Sequence, residues 1–281
     1  MPDTVEAFKN SLIQHGGEND RVYLMKLADA DMPGLVPSLI RYAHLAGYGK
    51  IFAKVPAKHR DAFVHKGFRL EGEIPGFYNN TRDAVFLGYY LDAERKREKK
   101  PELVEEVLEI SREKSRQEEP VPLPPELTCR VTTPEDAEAM AELYRAVFAS
   151  YPFPIHDADY LRQTMAENLV YFGVWEGGTL IALSSAEMDV AAGNAEMTDF
   201  ATLPECRGRG IAQHLLQEME AEMATRNIRS LYTIARAYSH GMNITFAKNG
   251  YRYGGTLTHN TDISGSLESM NLWYKHLPEP V

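Results

Sequence analysis

The sequence predicts an α+β fold built on a mixed α/β sheet, and three observations predict it. The first is a strand-to-helix turn. Residues 197–203 read as a strand, Arg207-Gly208-Arg209-Gly210 as a loop, and Ile211 to about Arg226 as a long helix. The second is the order of elements over residues 127–281, β-α-α-β-β-β-α-β-α-β-β. The third is a faint internal repeat. Residues 48–55 match residues 231–237 in character, residues 58–72 parallel 239–254, and residues 83–91 parallel the last strand.

Three regions follow along the chain: a first domain over 1–92, a charged helical connector over 93–126, and a second domain over 127–281. Residues 21–92 alternate strand and helix signals. The connector opens with Glu94-Arg-Lys-Arg-Glu-Lys-Lys100. It then places Leu103, Val104, Val107, Leu108 and Ile110 at helical spacing, a narrow apolar stripe suited to packing on a neighbour. Pro120-Val-Pro-Leu-Pro-Pro125 reads as a stiff extended linker.

In the second domain, residues 127–132 are a short strand. Thr133-Pro134-Glu135-Asp136 starts a helix, with a capping side chain, a proline in the first turn and acids at the positive end. Ala137, Met140, Ala141, Tyr144, Val147 and Phe148 hold one helical face. A second helix fits 158–168, and residues 169–175 and 179–190 form a hairpin about Glu176-Gly177-Gly178. Residues 195–203 are the next strand, 231–237 a buried strand and 239–249 a helix closed by Gly250. Residues 251–257 and 269–276 finish as strands, with the polar run 258–266 open to reading as a hairpin loop.

Composition bounds the function. An apolar fraction of 44% is enough for packed cores, and no run of 18 apolar residues occurs. The first residues lack a basic region followed by an apolar segment, and the two cysteines, Cys129 and Cys206, make a disulfide scaffold unexpected. A cytoplasmic protein without membrane contact is expected. A net charge of −10 argues against bulk nucleic-acid binding and is compatible with a small cationic substrate. No His, Cys and acid cluster has ligand spacing, so no metal is expected.

Glycines at a strand-to-helix turn let backbone approach a ligand, and the first helical turn offers unpaired N–H groups with partial positive charge. Arg207, Gly208, Arg209, Gly210, Ile211 and Ala212 therefore read as a pyrophosphate cradle. A dinucleotide loop needs three glycines, and only Gly208 and Gly210 are present. Arg207-x-x-Gly210-x-Ala212 instead resembles the acyl-coenzyme A signature of the GCN5-related N-acetyltransferase (GNAT) superfamily. The resemblance covers about 150 residues and implies acetyl-CoA as co-substrate. It also implies that the strand through Phe200, Ala201, Thr202 and Leu203 splays from residues 231–237 to admit the pantetheine arm. Asn243 would touch that arm or the preceding strand, and Phe246 would pack beside it. The first domain looks like a degenerate half of the same fold, lacking the cradle and completing a substrate cleft or an interface.

A primary ammonium with a pKa of about 10.4 must lose a proton before it attacks a thioester. Glu196, Asp199, Glu187 and Asp189 are the candidate bases; Asp199 and Glu187 are favoured, either to accept the proton through water or to hold a cationic substrate, and a strand bulge would change which of them face the wedge. Strict alternation turns Glu196 away from the wedge if Asp199 faces it. The family often carries a tyrosine where this chain has Phe246, so no phenol stands there to protonate the leaving thiolate; Tyr238, His240 and Tyr251 lie close in sequence, with Tyr251 taken as the candidate, and solvent is the alternative.

Three stretches, residues 47–56, 73–80 and 254–275, make the chain similar to the β-lysine N-acetyltransferases. That resemblance spans both domains. It implies transfer to the terminal amine of 3,6-diaminohexanoate, giving Nε-acetyl-β-lysine, a compatible solute. Asn260, Asp262, Glu268 and Asn271 would flank the acceptor from the last hairpin. Tyr78 and Asn79 would close it from the first domain, with Arg82 as a carboxylate partner. Two other readings stay open: an acyltransferase acting on another small amine or on protein lysine, and a non-catalytic acyl-CoA-binding scaffold. Oligomeric state is open too, a homodimer included.

Overall fold

The computed structural model describes residues 3–115, 122–149, 151–263 and 265–278. Among these, thirteen strands form one sheet. The N-terminal half contributes β1 (Thr4–Phe8), β2 (Ser11–Gly16), β3 (Arg21–Lys26), α1 (Leu35–Ala46), β4 (Lys50–Pro56), α2 (Arg60–Val64), β5 (Arg69–Tyr78) and β6 (Arg82–Tyr90). The connector helix α3 is Pro101–Lys114. The C-terminal half contributes β7 (Leu127–Val131), α4 (Ala137–Val147), α5 (Ala158–Glu167), β8 (Leu169–Glu176), β9 (Thr179–Asp189) and β10 (Asn194–Thr202). It continues with α6 (Ile211–Thr225), β11 (Ser230–Arg236), α7 (His240–Lys248), β12 (Arg252–Ile263) and β13 (Ser266–His276).

The strand order is β1-β2-β3-β4-β6-β5-β12-β13-β11-β10-β9-β8-β7. Read inward from either edge it is the same pattern. β3 and β4 are parallel, then β6 and β5 follow antiparallel. β10 and β11 are parallel, then β13 and β12 follow antiparallel. The internal repeat seen in sequence is thus also a repeat of strand topology.

The halves meet where β5 and β12 pair through Gly72 and Gly255. A side chain on Gly255 (φ +144) would collide with the Glu71 carbonyl and Gly72, and one on Gly254 would stand 2.9 Å from the Glu73 carbonyl oxygen. On one face an aromatic cluster bridges the halves: Phe77 packs on Tyr232 at 5.0 Å and Phe86 on Tyr232 at 6.4 Å. Helices α6 and α7 cover the opposite face of the C-terminal half, with Leu215, Leu216, Met219 and Phe246 in its core.

Local signals explain the elements. Thr133 and Asp136 make a reciprocal cap on a short turn that leads into α4. The connector does not float: Val104 and Leu108 of α3 are buried in the C-terminal core, and the Tyr238 hydroxyl donates to Glu98 at 2.6 Å. Of the extended linker, residues 120 and 121 lie outside the described residues. The start of the chain holds two strands, β1 and β2, beyond the alternating region 21–92.

The polar run at 258–263 is not a loop. It completes β12, and Thr258, His259, Asn260 and Thr261 are all buried. A bulge between Leu257 and Thr261 takes the intervening backbone out of register with β13. Three buried cations from earlier in the chain satisfy its carbonyls in succession. Lys50 donates to Thr258 O at 2.7 Å, Arg95 to His259 O at 3.0 Å, and Arg21 to Asn260 O. A buried carbonyl without such a partner costs about 1–3 kcal/mol.

Candidate active site

β10 and β11 are parallel neighbours only at Asn194–Ser230, Ala195–Leu231 and Glu196–Tyr232. Beyond Glu196 they diverge, while β11 continues paired to β13 as far as Arg236. The opening wedge is continuous with a cavity of about 680 Å³ lined by both halves. The C-terminal half supplies Glu187, Glu196, Asp199, Phe200, Tyr232 and Phe246 among others; the N-terminal half supplies Arg21, Tyr23, Phe52 and Lys54.

A bulge between Thr198 and Ala201 sets the site. Asp199 adopts φ +56, and the extra residue cancels the alternation that separated Glu196 from Asp199. Both now line the cavity, which corrects the expectation that only one faces it. Asp199 is committed to structure: Ser185 Oγ donates to it at 2.5 Å and the Tyr151 hydroxyl donates to its other oxygen.

Glu196 stands directly across the β9–β10 ladder from Glu187. Its carboxyl is pushed up to about 7, by burial first and by the facing Glu187 second; Lys54 and a hydrogen bond from Tyr232 oppose the rise. Burial also raises Glu187, against the pull of Lys54. Lys54 donates to Tyr232 Oη at 3.0 Å, so a buried ammonium, a phenol and a carboxylate stand in sequence. Burial raises all three carboxyls, and that of Glu196 lies near neutrality, where it can exchange a proton. The missed signal was available: residues 187 and 196 are equidistant from the turn 190–193.

The cradle residues follow the C-terminal end of β10, past the point where it has left β11, and none of them lines the cavity. Gly208 and Gly210 have φ +80 and +76, and Gly210 opens α6. Among the described residues, no protein acceptor pairs with the backbone N–H of Gly208, Arg209, Gly210, Ile211 or Ala212. The Ile211 side chain is core, so it contributes backbone only. Arg207 Nε donates to Thr202 O at 3.2 Å, and the Leu203 N–H is already given to Ile181 O at 3.0 Å. The Arg209 guanidinium pairs through Nη2 with Glu126 at 2.9 Å and Glu176 at 3.0 Å. Phe200 lines the wedge edge-to-face with Phe246, ring centroids 5.6 Å apart, while Ala201 is buried against the α4 side.

Gly210→Val is accordingly expected to raise the acetyl-CoA KM by on the order of 10²-fold, because positive φ costs a β-branched residue about 1–2 kcal/mol and the side chain crowds the amides. Arg209→Ala is expected to change it less than about threefold, since its charge is already neutralised. Titration calorimetry with coenzyme A compares the two.

Four residues named from sequence do not serve the cavity. The Asn243 amide spends its capacity on the fold: it donates to Arg236 O and Ser239 O and accepts from Asn271 and Trp273. Asn271, bonded to Asn243 and Thr256, lies on that same α7-covered side. Tyr251 is core behind Phe246, with its phenol beside Glu220, so it is not the thiolate's acid. Glu268 makes a two-point ion pair with Arg236, at 2.7 and 2.9 Å, and so positions a cavity residue.

Asn260 does line the cavity. The Asp262 N–H is held by Asn19, and burial with neighbouring acids raises its carboxyl. Tyr78 and Arg82 border a separate, smaller hollow, the guanidinium 5.5 Å from the Tyr78 ring. Asn79 docks on the 190–193 turn, donating to Ala191 O and Ala192 O. Sequence reasoning missed Arg21, Tyr23 and Lys54, the wall given by the first half.

A splayed parallel strand pair followed by a glycine-opened helix is the arrangement expected of an acyl-CoA-dependent N-acyltransferase. The acetyltransferase (GNAT) family profile matches residues 137–251. The chain is 38% identical over 266 residues to the β-lysine N(6)-acetyltransferase of Methanococcus maripaludis, covering 95% of this chain and 96% of that protein. It is 33% identical to the β-lysine N(6)-acetyltransferase of Methanosarcina mazei, covering 82% and 92%. It is 32% identical to the N-acetyltransferase YodP of Bacillus subtilis, covering 95% and 96%. The chain belongs to the GNAT family of N-acetyltransferases.

Proposed function

We propose that this enzyme transfers the acetyl group of acetyl-CoA to the terminal amine of β-lysine, giving Nε-acetyl-β-lysine, a compatible solute made in the cytoplasm. Glu196 carries the reading: a carboxyl held near 7 beside the wedge suits removal of a proton from a substrate ammonium. The near full-length likeness to two β-lysine N(6)-acetyltransferases supports the substrate.

The free backbone N–H groups from Gly208 to Ala212 would hold the diphosphate, and the gap between β10 and β11 would hold the pantetheine arm. With the thioester so placed, ordering it against the amine supplies several kcal/mol. Glu196, as carboxylate, takes one proton from the ammonium. The freed nitrogen attacks the acetyl carbonyl, and a backbone N–H near Phe200 or Ala201 polarises its oxygen. The C–N bond forms, the attacking nitrogen gives up its second proton to solvent as the C–S bond breaks, and the electron pair leaves on sulfur. Phe246 provides no proton there, so solvent protonates the thiolate. The N-terminal half, a degenerate copy without the cradle, acts as the acceptor-side wall.

The test is thiol release from acetyl-CoA with β-lysine, α-lysine and a lysyl peptide, with mass analysis of the product. β-Lysine is expected to be preferred; a preference for the peptide, or no thiol release, overturns the reading.

Lys54 sets the pH dependence. Its charge favours the Glu196 carboxylate, and Tyr232, Glu187, Asp199 and Tyr23 share that environment. The base works only when ionised, so activity falls as pH drops through about 7. In Lys54→Met the carboxylate loses its cation. The acid limb of kcat/KM is expected to move up by about one unit or more, read from the pH–rate profile.

A further inference from the structure

Arg21 begins β3 in the N-terminal half, yet its guanidinium ends in the acceptor cavity. It is 4% exposed and rests on aromatic rings, 5.4 Å from the centroid of Tyr23 and 5.9 Å from that of Phe52. Nη1 is used by the Asn260 carbonyl and by Thr261 Oγ1 at 3.1 Å. Nη2 reaches Gln14 Oε1 only at 3.4 Å, and Nε has no partner among the described residues. Burial lowers the guanidinium to about 10, which leaves it a cation at neutral pH.

Next to it, Asn260 is 1% exposed and its Oδ1 is likewise without a partner among the described residues. An unpaired buried donor or acceptor costs about 1–3 kcal/mol, so two such atoms on hydrogen-bonded residues that line one cavity mark a place for a ligand to complete. Elsewhere the cavity carries the acids Glu187, Glu196 and Asp199, with the cations Lys54, engaged by Tyr232, and Arg236, paired with Glu268. A polyamine would find no use for a buried arginine there. A diamino acid would: its carboxylate suits a guanidinium, and the ammonium on a nearby carbon suits an amide oxygen.

We propose that Arg21 and Asn260 form the receptor for the amino-acid head group of the acceptor, the guanidinium binding its carboxylate and Asn260 Oδ1 accepting from its internal ammonium. This rests on the reading of the enzyme as a diamino-acid acetyltransferase and adds the element that selects for the acid. The degenerate half is then a specificity domain: it contributes the cation that tells a diamino acid from the corresponding diamine, while the C-terminal half carries out the transfer.

The experiment compares β-lysine with 1,4-diaminopentane, the same molecule without its carboxylate, in the wild-type enzyme and in Arg21→Gln and Arg21→Lys. The wild type is expected to favour β-lysine in kcat/KM by on the order of 10²-fold. Arg21→Gln is expected to bring that ratio close to one, with the loss entering as a higher KM for β-lysine. Arg21→Lys keeps a cation for the Asn260 carbonyl and is expected to keep part of the preference; it also decides the matter if the Gln variant does not fold. A wild type indifferent to the carboxylate, or variants that lose both acceptors equally, overturns the receptor. If the wild type prefers α-lysine, the β-lysine reading falls, and the same ratio taken with α-lysine and 1,5-diaminopentane decides the receptor. Activity confined to lysyl peptides overturns both.

Discussion

Glu196→Gln is expected to lower kcat/KM for the amine by on the order of 10²- to 10⁴-fold, the range of a positioned general base. The variant keeps the size of the side chain and the hydrogen bond from Tyr232, so coenzyme A affinity by calorimetry and the melting temperature are expected to hold. The remaining activity should lose its acid limb near pH 7, because the group that titrates there is gone. Activity should then rise only at high pH, where free amine is present in bulk solution. A variant that keeps the limb would place the base elsewhere, with Glu187 next in line across the ladder.

Lys50→Met is expected to have the largest effect on stability. Lys50 and Glu71 are fully buried side chains paired at 2.8 Å, and the Tyr90 hydroxyl also donates to Glu71. Removing the ammonium leaves a buried carboxylate without its counter-charge and leaves the Thr258 carbonyl only the Tyr90 hydroxyl at 3.3 Å. Breaking one side of such a pair costs about 3–5 kcal/mol. In a chain of this size that lowers the melting temperature by on the order of 10 °C. The double variant Lys50→Met with Glu71→Leu should regain much of the loss, because no buried charge is left over. Calorimetric melts of the single and double variants check both; a single variant as stable as the parent would mean the pair contributes nothing net.

The parts of the fold that a short window of sequence determines were legible. Glycine spacing and helical periodicity located the turn at Arg207 to Gly210 and α6, and the element order over the C-terminal half follows the strand and cap signals. What failed depends on register or on distant partners. The bulge at Thr198–Ala201 shifts facing by one residue, which hid Glu196. The run Thr258 to Thr261 looked like a loop because its carbonyls are matched by Lys50, Arg95 and Arg21 from far back in the chain. Asn243 and Asn271 looked available for ligands but bind one another across α7 and β13. Lys54 and Arg21 enter the site only because two like halves share one sheet, a relation no local pattern encodes.

The seam between those halves has a consequence for how this enzyme can diverge. At Gly72, Gly254 and Gly255 main chain rests on main chain, with no β-carbon between. At that seam the approach of the two halves is set by main chain, with aromatic side chains joining them on one face. Substitutions elsewhere leave that approach in place, and selection can retune what the chamber admits one wall residue at a time.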